Sequence, residues 1–151
     1  MEIRYAKLDE INKVTEVTQK AYAEPYDDTG RISGFTENPD LESLVKSGQI
    51  KILVAVDDSK IIGTVRYEFR EDNSVYISKL SVLKKYRNQG VAKDLISRVE
   101  SESRNKGVEV AKLDFMQEKN LQLFYESLGY EVKEAREHGN HHDVFVEKRI
   151  V

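Results

Sequence analysis

The chain has 151 residues, which suits one domain of residues 1–151 with its own core, and 34% of its residues are charged. It has no cysteine, which excludes disulfides, thiolate metal ligands and a cysteine nucleophile. Residues 72–107 carry eight basic and four acidic side chains, whereas the whole chain has a net charge of −3. A basic segment suits a polyanionic ligand, and the acidic remainder argues against nucleic acid. On charge alone, chance variation of the surface explains the segment equally well.

The first half of the chain predicts short strands and two helices. Asp9 is suited to cap a helix whose apolar face includes Val14 and Val17, and Asn38 with Pro39 is suited to start a second one. The predicted elements are a strand at 3–5, a helix from 9, a loop at 24–30, a helix at 38–48, and strands at 50–56 and 61–69.

The second half predicts a strand, a long helix and a return to the sheet. The predicted elements are strands at 75–83, 108–116, 130–132 and 144–150, with helices at 90–106 and 121–128. A strand–helix–strand unit over 75–116 requires a parallel pair, whereas the hairpins require antiparallel pairs. We therefore expect an α+β fold, with a mixed, mostly antiparallel sheet of six to seven strands flanked by about four helices.

The junction between the strand at 75–83 and the helix at 90–106 has the features of a phosphate site. The first amides of a helix lack internal partners, and the helix dipole is positive there. Gly90 and Ala92 are small enough for an anion to approach those amides, and Arg87 adds positive charge. The segment lacks the Gly-Lys-Ser/Thr of a P-loop and the three glycines of a dinucleotide-binding turn.

The segment Arg87-Asn88-Gln89-Gly90-Val91-Ala92 resembles the pyrophosphate loop of the GNAT acetyltransferases, which has the pattern Arg/Gln-x-x-Gly-x-Gly/Ala. A second segment, from Asn120 to Tyr130, is similar to the Asn…Phe-Tyr-Glu-x-Leu-Gly-Phe segment of that family. The order of the predicted elements is also that of the family, so the resemblance covers essentially the whole chain.

The resemblance implies that acetyl-CoA lies between the strands at 75–83 and 108–116, which splay apart. The backbone of Leu80 and Val82 would bind the pantetheine arm, and Asn120 would lie near the sulfur. The pyrophosphate would be held by the loop and the start of the helix, through Arg87, Asn88, Gln89, Gly90, Val91 and Ala92.

The resemblance also assigns a catalytic role to Tyr125. A phenol with an ordinary pKa of about 10 is protonated at neutral pH and is suited to protonate the departing thiolate. The backbone N–H of Val82 is the expected donor to the oxyanion. Many relatives carry a Glu on the strand that corresponds to 75–83, but this chain has none there. The amine therefore either attacks in its free form or loses its proton through a water chain or to a polar side chain. The polar side chains to consider are Glu68, Tyr76, Ser78 and Asp114.

These features predict an N-acetyltransferase that acts on a primary amine, most simply of a small molecule. The alternatives are acetylation of a protein lysine or N-terminus, and a non-catalytic module that binds acyl-CoA. An acidic, aromatic region that includes Tyr22, Asp27 and Asp28 either attracts a cationic amine or is an ordinary exposed loop. His138, His141, His142 and Asp143 indicate a hydrated turn, so no metal is expected. The sequence also predicts a cytoplasmic protein that does not bind membranes and that could form a homodimer.

Overall fold

The computed structural model describes residues 1–22 and 37–151, so the predicted loop at 24–30, with Asp27 and Asp28, lies outside the described residues. The described strands are β1 (Glu2–Tyr5), β2 (Lys51–Asp57), β3 (Lys60–Phe69), β4 (Ser74–Val82), β5 (Val110–Met116), β6 (Glu131–His138) and β7 (His141–Arg149). The described α-helices are α1 (Ile11–Tyr22), α2 (Leu41–Lys46), α3 (Val91–Asn105) and α4 (Gln122–Ser127).

All seven strands form one mixed sheet in the order β1-β2-β3-β4-β5-β7-β6. Among the described strands, only β4 and β5 pair in parallel, and every other neighbouring pair is antiparallel. The long helix α3 connects the two parallel strands, as a crossover of this kind requires. The expected α+β fold with a mixed sheet is confirmed.

The core lies on both faces of the sheet. On one face, α3 buries Leu95, Ile96 and Val99 against the central strands, and Tyr125 of α4 belongs to the same cluster. On the other face, the amphipathic helix α1 lies against β3 and β4, and its apolar residues cluster with Leu41 of α2 and with Ile52 and Val54 of β2. Because α3 and α1 cover β3 and β4 from opposite faces, β3 is buried along most of its length.

The starts of α1 and α2 differ from the prediction. A short 3-10 turn at Leu8–Glu10 precedes α1, so Asp9 lies in that turn and does not cap the helix. The helix α2 begins at Leu41, and Asn38 Oδ1 instead accepts the backbone N–H of Asp40 at 2.9 Å. Both differences move a helix start by two or three residues and leave the buried face unchanged.

The edge strand β6 is longer than the predicted strand at 130–132. All eight of its residues are exposed, so it has no alternation of buried and exposed positions that a sequence pattern could detect. Its length follows from pairing with β7, which extends to the turn at Gly139 and Asn140. None of the helices in the described ranges is both long and apolar enough to cross a membrane.

Candidate active site

A wedge-shaped opening separates β4 from β5 at one end of the sheet. Within the described chain, the parallel pairing of these strands is confined to Ser74–Tyr76 and Val110–Lys112. Beyond Tyr76 the strands diverge, and these are the two strands that were expected to splay apart. Beyond this point, none of the described strands pairs with β4 on the edge that faces β5.

A bulge in β4 accompanies this divergence. Thr64 of β3 lies opposite Ser81, but Arg66 lies opposite Ser78, so β4 contains one extra residue between these pairs. Lys79, inside the bulge, has a φ of +54°, a left-handed conformation that is uncommon for a residue with a side chain. A bulge increases local bending and twist, which turns the end of β4 away from β5.

The wedge opens into a cleft of about 560 Å³. Its walls are the end of β4, the start of α3, the last turn of α1 and the segment that contains α4. Of the site residues predicted from the sequence, those that line it are Leu80, Val82, Arg87, Asn88, Gly90, Val91, Ala92 and Tyr125. The other lining residues are Ala21, Tyr22, Ser81, Tyr86, Lys93, Lys119, Leu121 and Phe124.

Two predicted residues lie outside the cleft lining. Gln89 is exposed, and its side-chain amide donates to the Lys85 carbonyl at 3.3 Å. Asn120 is exposed as well, with a φ of +57° at the end of a short 3-10 turn, whereas its neighbours Lys119 and Leu121 line the cleft. The left-handed conformation explains the choice of residue here, because Asn adopts it more readily than most residues do.

The free edge of β4 presents backbone groups of Val82 to the cleft. The N–H of Leu83 donates to the Ile62 carbonyl on β3 at 2.9 Å. Because successive residues of a strand direct their backbone groups to opposite edges, the N–H and C=O of Val82 point away from β3. Arg87 Nε donates to the Val82 carbonyl at 2.9 Å, which fixes the basic loop against this edge.

The start of α3 supplies a set of backbone donors at the other end of the cleft. Gly90 is the N-cap with a φ of +85°, and its carbonyl accepts the N–H of Asp94 at 3.0 Å. The amides of Val91 and Ala92 belong to the first turn, where helix N–H groups have no intrahelical acceptor. They therefore provide a positive helix end next to the guanidinium of Arg87.

Gly63 on β3 allows α3 to lie close to the sheet at this point. A Cβ atom on Gly63 would lie 3.1 Å from Val91 Cγ1, 3.2 Å from the Ser81 carbonyl oxygen and 3.4 Å from Leu95 Cδ1. The missing side chain thus sets the distance between the first turn of α3 and the β4 edge. The positions of the two donor sets depend on it.

Tyr125 lies at the inner end of the cleft and is 5% exposed. Its ring stacks on Phe115 of β5 with a centroid distance of 5.3 Å and meets Phe124 edge-on at 5.0 Å. Burial raises the pKa of the Tyr125 phenol well above its ordinary value, and nearby Tyr22 and Asp114 add to this shift. The phenol therefore remains protonated throughout the neutral and moderately alkaline range.

Several charged groups surround the same end of the cleft. The ammonium of Lys119 lies 4.3 Å from the centre of the Tyr22 ring. Burial lowers the pKa of Lys119, and repulsion from Lys79 and Arg87 lowers it further. Asp114 of β5 remains exposed, yet desolvation by the protein around its carboxylate raises its pKa, and Asp143 contributes by repulsion.

Behind this region, a buried ion pair ties the chain that precedes α2 to the sheet. Arg66 of β3 is 4% exposed and donates to both carboxylate oxygens of Glu37, at 2.8 and 2.7 Å. Thr15 of α1 donates to the same carboxylate at 2.7 Å. Although burial opposes it, the hydrogen bonds from Arg66 and Thr15 lower the pKa of Glu37, so that this side chain is ionised.

Comparison with known families identifies the class of this protein. Residues 22–146 match the family model described as the acetyltransferase (GNAT) domain. This match covers most of the chain, which therefore belongs to the GNAT acetyltransferase family and is an acyltransferase. No curated protein sequence matches the chain significantly.

Solved structures share the fold at low sequence identity. An aminoglycoside 6′-N-acetyltransferase complexed with coenzyme A has a TM-score of 0.80 and 15% identity, with 100% of this chain and 98% of that chain covered. The PaiA N-acetyltransferase from Thermoplasma acidophilum, in complex with coenzyme A, has a TM-score of 0.75 and 20% identity, with 98% of each chain covered. The ribosomal-protein-S18-alanine N-acetyltransferase from Escherichia coli has a TM-score of 0.79 and 16% identity, with 99% of this chain and 93% of that chain covered.

Proposed function

We propose that this chain is a single catalytic domain that transfers the acetyl group of acetyl-CoA to a primary amine, most simply that of a small molecule. The observation that carries this proposal is one continuous cleft with two sets of backbone donors and a protonated phenol at its inner end. Coenzyme A in two of the similar structures supports the identity of the donor substrate. The amine would attack directly while both substrates are bound.

The donor set of the cleft fits the chemistry of acetyl-CoA. The amides of Val91 and Ala92 and the guanidinium of Arg87 would hold the pyrophosphate, because a diphosphate needs several convergent N–H donors. The open space around Gly90, where an added Cβ would meet no atom within 4 Å, leaves room for an anion at the helix start. The free edge of β4 at Leu80 and Val82 would bind the amides of the pantetheine arm as a strand binds a neighbour.

Two groups at the inner end would stabilise the charges that develop during transfer. The N–H of Val82 would donate to the carbonyl oxygen as it becomes negative, and a donor fixed in a backbone needs no reorganisation. Tyr125 would donate its proton to the departing thiolate. Its raised pKa keeps the phenol protonated at the working pH and also makes it a weaker acid, so its contribution depends on its position at the inner end of the cleft.

Compared with Glu68 and Tyr76, Asp114 is better suited to accept the amine proton or to hold the ammonium before attack. Glu68 of β3 forms an ion pair with Arg70 at 2.9 Å. The ring of Tyr76 lies under the same guanidinium, 4.4 Å from its ring centre, and Tyr76 belongs to the part of β4 that is still paired with β5. Asp114 lies beyond the point of divergence and interacts electrostatically with Tyr125. A carboxylate with a raised pKa is a better base than an ordinary one.

Acetylation of a protein amine is the alternative that a similar structure supports, because the Escherichia coli relative is named for the alanine of a ribosomal protein. The two substrate classes differ in what surrounds the amine, and steady-state rates with free amines and with peptides of matched N-termini would distinguish them. A non-catalytic module would bind acetyl-CoA but release no thiol with either class.

Thermal melting tests the donor substrate. Acetyl-CoA and CoA should each raise the melting temperature, and ATP and NAD should not. A ligand at about 100 times its dissociation constant adds about 2.7 kcal/mol to the free energy of unfolding, which gives a clear shift. The absence of a shift with both CoA species would overturn the proposal.

A further inference from the structure

The hairpin tip between β6 and β7 brings two histidines and one aspartate together on one face. His138 lies directly opposite His141 across the two-residue turn, and Asp143 follows two positions along β7 on the same face. The ring centroids of His138 and His141 are 5.0 Å apart. One potential ligand atom from each of the three residues lies within 4.8 Å of the other two.

Two of the separations between these side chains are close to those around a tetrahedral metal ion, and the third lies within 4.8 Å. Metal–ligand distances of about 2.1 Å put adjacent ligand atoms of a zinc site about 3.4 Å apart. His138 Nδ1 lies 3.3 Å from one carboxylate oxygen of Asp143, and His141 Nε2 lies 3.5 Å from the other. We propose that His138, His141 and Asp143 form a binding site for a divalent transition-metal ion such as zinc.

The donor set selects the kind of metal. Two imidazole nitrogens and one carboxylate suit Zn²⁺, Co²⁺ and Ni²⁺, whereas Mg²⁺ and Ca²⁺ prefer oxygen ligands. Three protein ligands leave the fourth position of a tetrahedral ion open to water or to another ligand. This site therefore differs from a closed structural zinc site with four protein ligands.

The hairpin holds two of the three ligands firmly. The side chains of His141 and Asp143 are 27% and 20% exposed. Asp143 is paired on both sides, with β5 and with β6, and His141 is paired with His138 of β6. Glu118 accepts the backbone N–H of His142 at 2.7 Å, which ties the tip to the short 3-10 turn that follows β5. His138 is 74% exposed, so its ring can rotate onto the ion without moving the strands.

His142 provides a matched control on the same hairpin. By strand alternation its side chain lies on the opposite face from the three ligands, where its Nδ1 is 3.7 Å from Glu118 Oε1. Replacing this side chain leaves the proposed ligands and the backbone hydrogen bond in place. A loss of metal binding in His141→Ala but not in His142→Ala would therefore be specific to the proposed face.

The test is a competition titration with Zn²⁺ and a chromogenic chelator, on protein freed of any affinity tag and treated with a chelating resin. We expect the wild type and His142→Ala to bind one Zn²⁺ per chain. His141→Ala and Asp143→Asn should bind Zn²⁺ at least about tenfold more weakly than the wild type. Co²⁺ should give the visible absorption of a tetrahedral site with the wild type and with His142→Ala, but not with His141→Ala or Asp143→Asn.

Two outcomes would overturn the proposal: a wild type that fails to compete with the chelator for Zn²⁺, or equal losses in His141→Ala and His142→Ala. Melting curves of the metal-free variants check the fold. If His141→Ala melts early, His138→Gln at the exposed ligand replaces it, and it too must lose Zn²⁺ binding.

Discussion

Replacing Tyr125 by Phe removes one hydroxyl group and leaves the ring contacts with Phe115 and Phe124 in place. Loss of a positioned general acid typically lowers the rate by about 10²–10⁴-fold, which corresponds to about 2.7–5.4 kcal/mol in the barrier. Because the aromatic packing remains, the dissociation constant of acetyl-CoA should change little. The loss should therefore appear in kcat and not in the binding of the donor substrate.

Tyr130→Phe is the matched control for this variant. Tyr130 is 1% exposed and lies edge-on to Tyr125 at 5.9 Å, but its hydroxyl donates to Glu100 on α3 at 2.8 Å. Removing a hydrogen bond to a charged group costs about 1.5–3 kcal/mol in the free energy of unfolding. Tyr130→Phe should therefore melt earlier and keep its kcat, which is the reverse of the pattern expected for Tyr125→Phe.

The assay is the release of CoA thiol from acetyl-CoA with a saturating amine, measured from neutral pH upwards. Since the pKa of Tyr125 is raised by burial, the wild type should show no loss of rate from phenol deprotonation up to about pH 10. A Tyr125→Phe rate within about twofold of the wild type would refute the assignment of Tyr125 as the acid.

Three further substitutions test the cleft and its support. Gly63→Ala should cost about 1–3 kcal/mol in urea unfolding, because its Cβ would crowd Val91 Cγ1 at 3.1 Å, and an unchanged midpoint would contradict this packing. Asp114→Asn should lower kcat/KM and remove the fall of kcat/KM at acid pH that protonation of this carboxylate, whose pKa is raised, would cause. An unaltered plot of kcat/KM against pH would exclude Asp114 as the base. The hydrogen bond from Arg4 lowers the pKa of Glu10 to about 2, and therefore its stabilisation is present above pH 4.5 and is lost as the pH falls towards 2. Melting temperatures of Glu10→Gln between pH 6 and 2 should show a shallower acid decline than the wild type, and parallel curves would contradict this.

The order of elements and the phosphate-type loop could be predicted from the sequence because each depends on local chemistry. The periodic apolar face of α3 and the glycine at its start are features of neighbouring residues. The parallel pairing of β4 and β5 follows from the crossover helix alone. The burial of Tyr125 agrees with its place in the second motif, although no spacing within that motif indicates how deep the ring lies.

Other features depend on contacts between distant residues, which a single sequence does not reveal. The bulge at Lys79 appears only through the register with Arg66 and Thr64 on β3. The exposed strand β6 carries no burial pattern and is defined by pairing with β7. Lys119 reaches the cleft because the short turn before α4 places it over Tyr22, a residue on α1 almost one hundred positions away.

Calorimetric titration of acetyl-CoA into the wild type, Arg87→Ala and Arg104→Ala tests the central claim most directly. Arg87 lies against the β4 edge and the start of α3, whereas Arg104 lies at the far end of the same helix and binds the Ile150 carbonyl. We predict 1:1 binding to the wild type and to Arg104→Ala. Arg87→Ala should bind about 10- to 150-fold more weakly, as expected for the loss of about 1.5–3 kcal/mol from a charge-assisted contact. Absence of binding to the wild type, or equal affinities for all three proteins, would contradict the assignment of this cleft to acetyl-CoA.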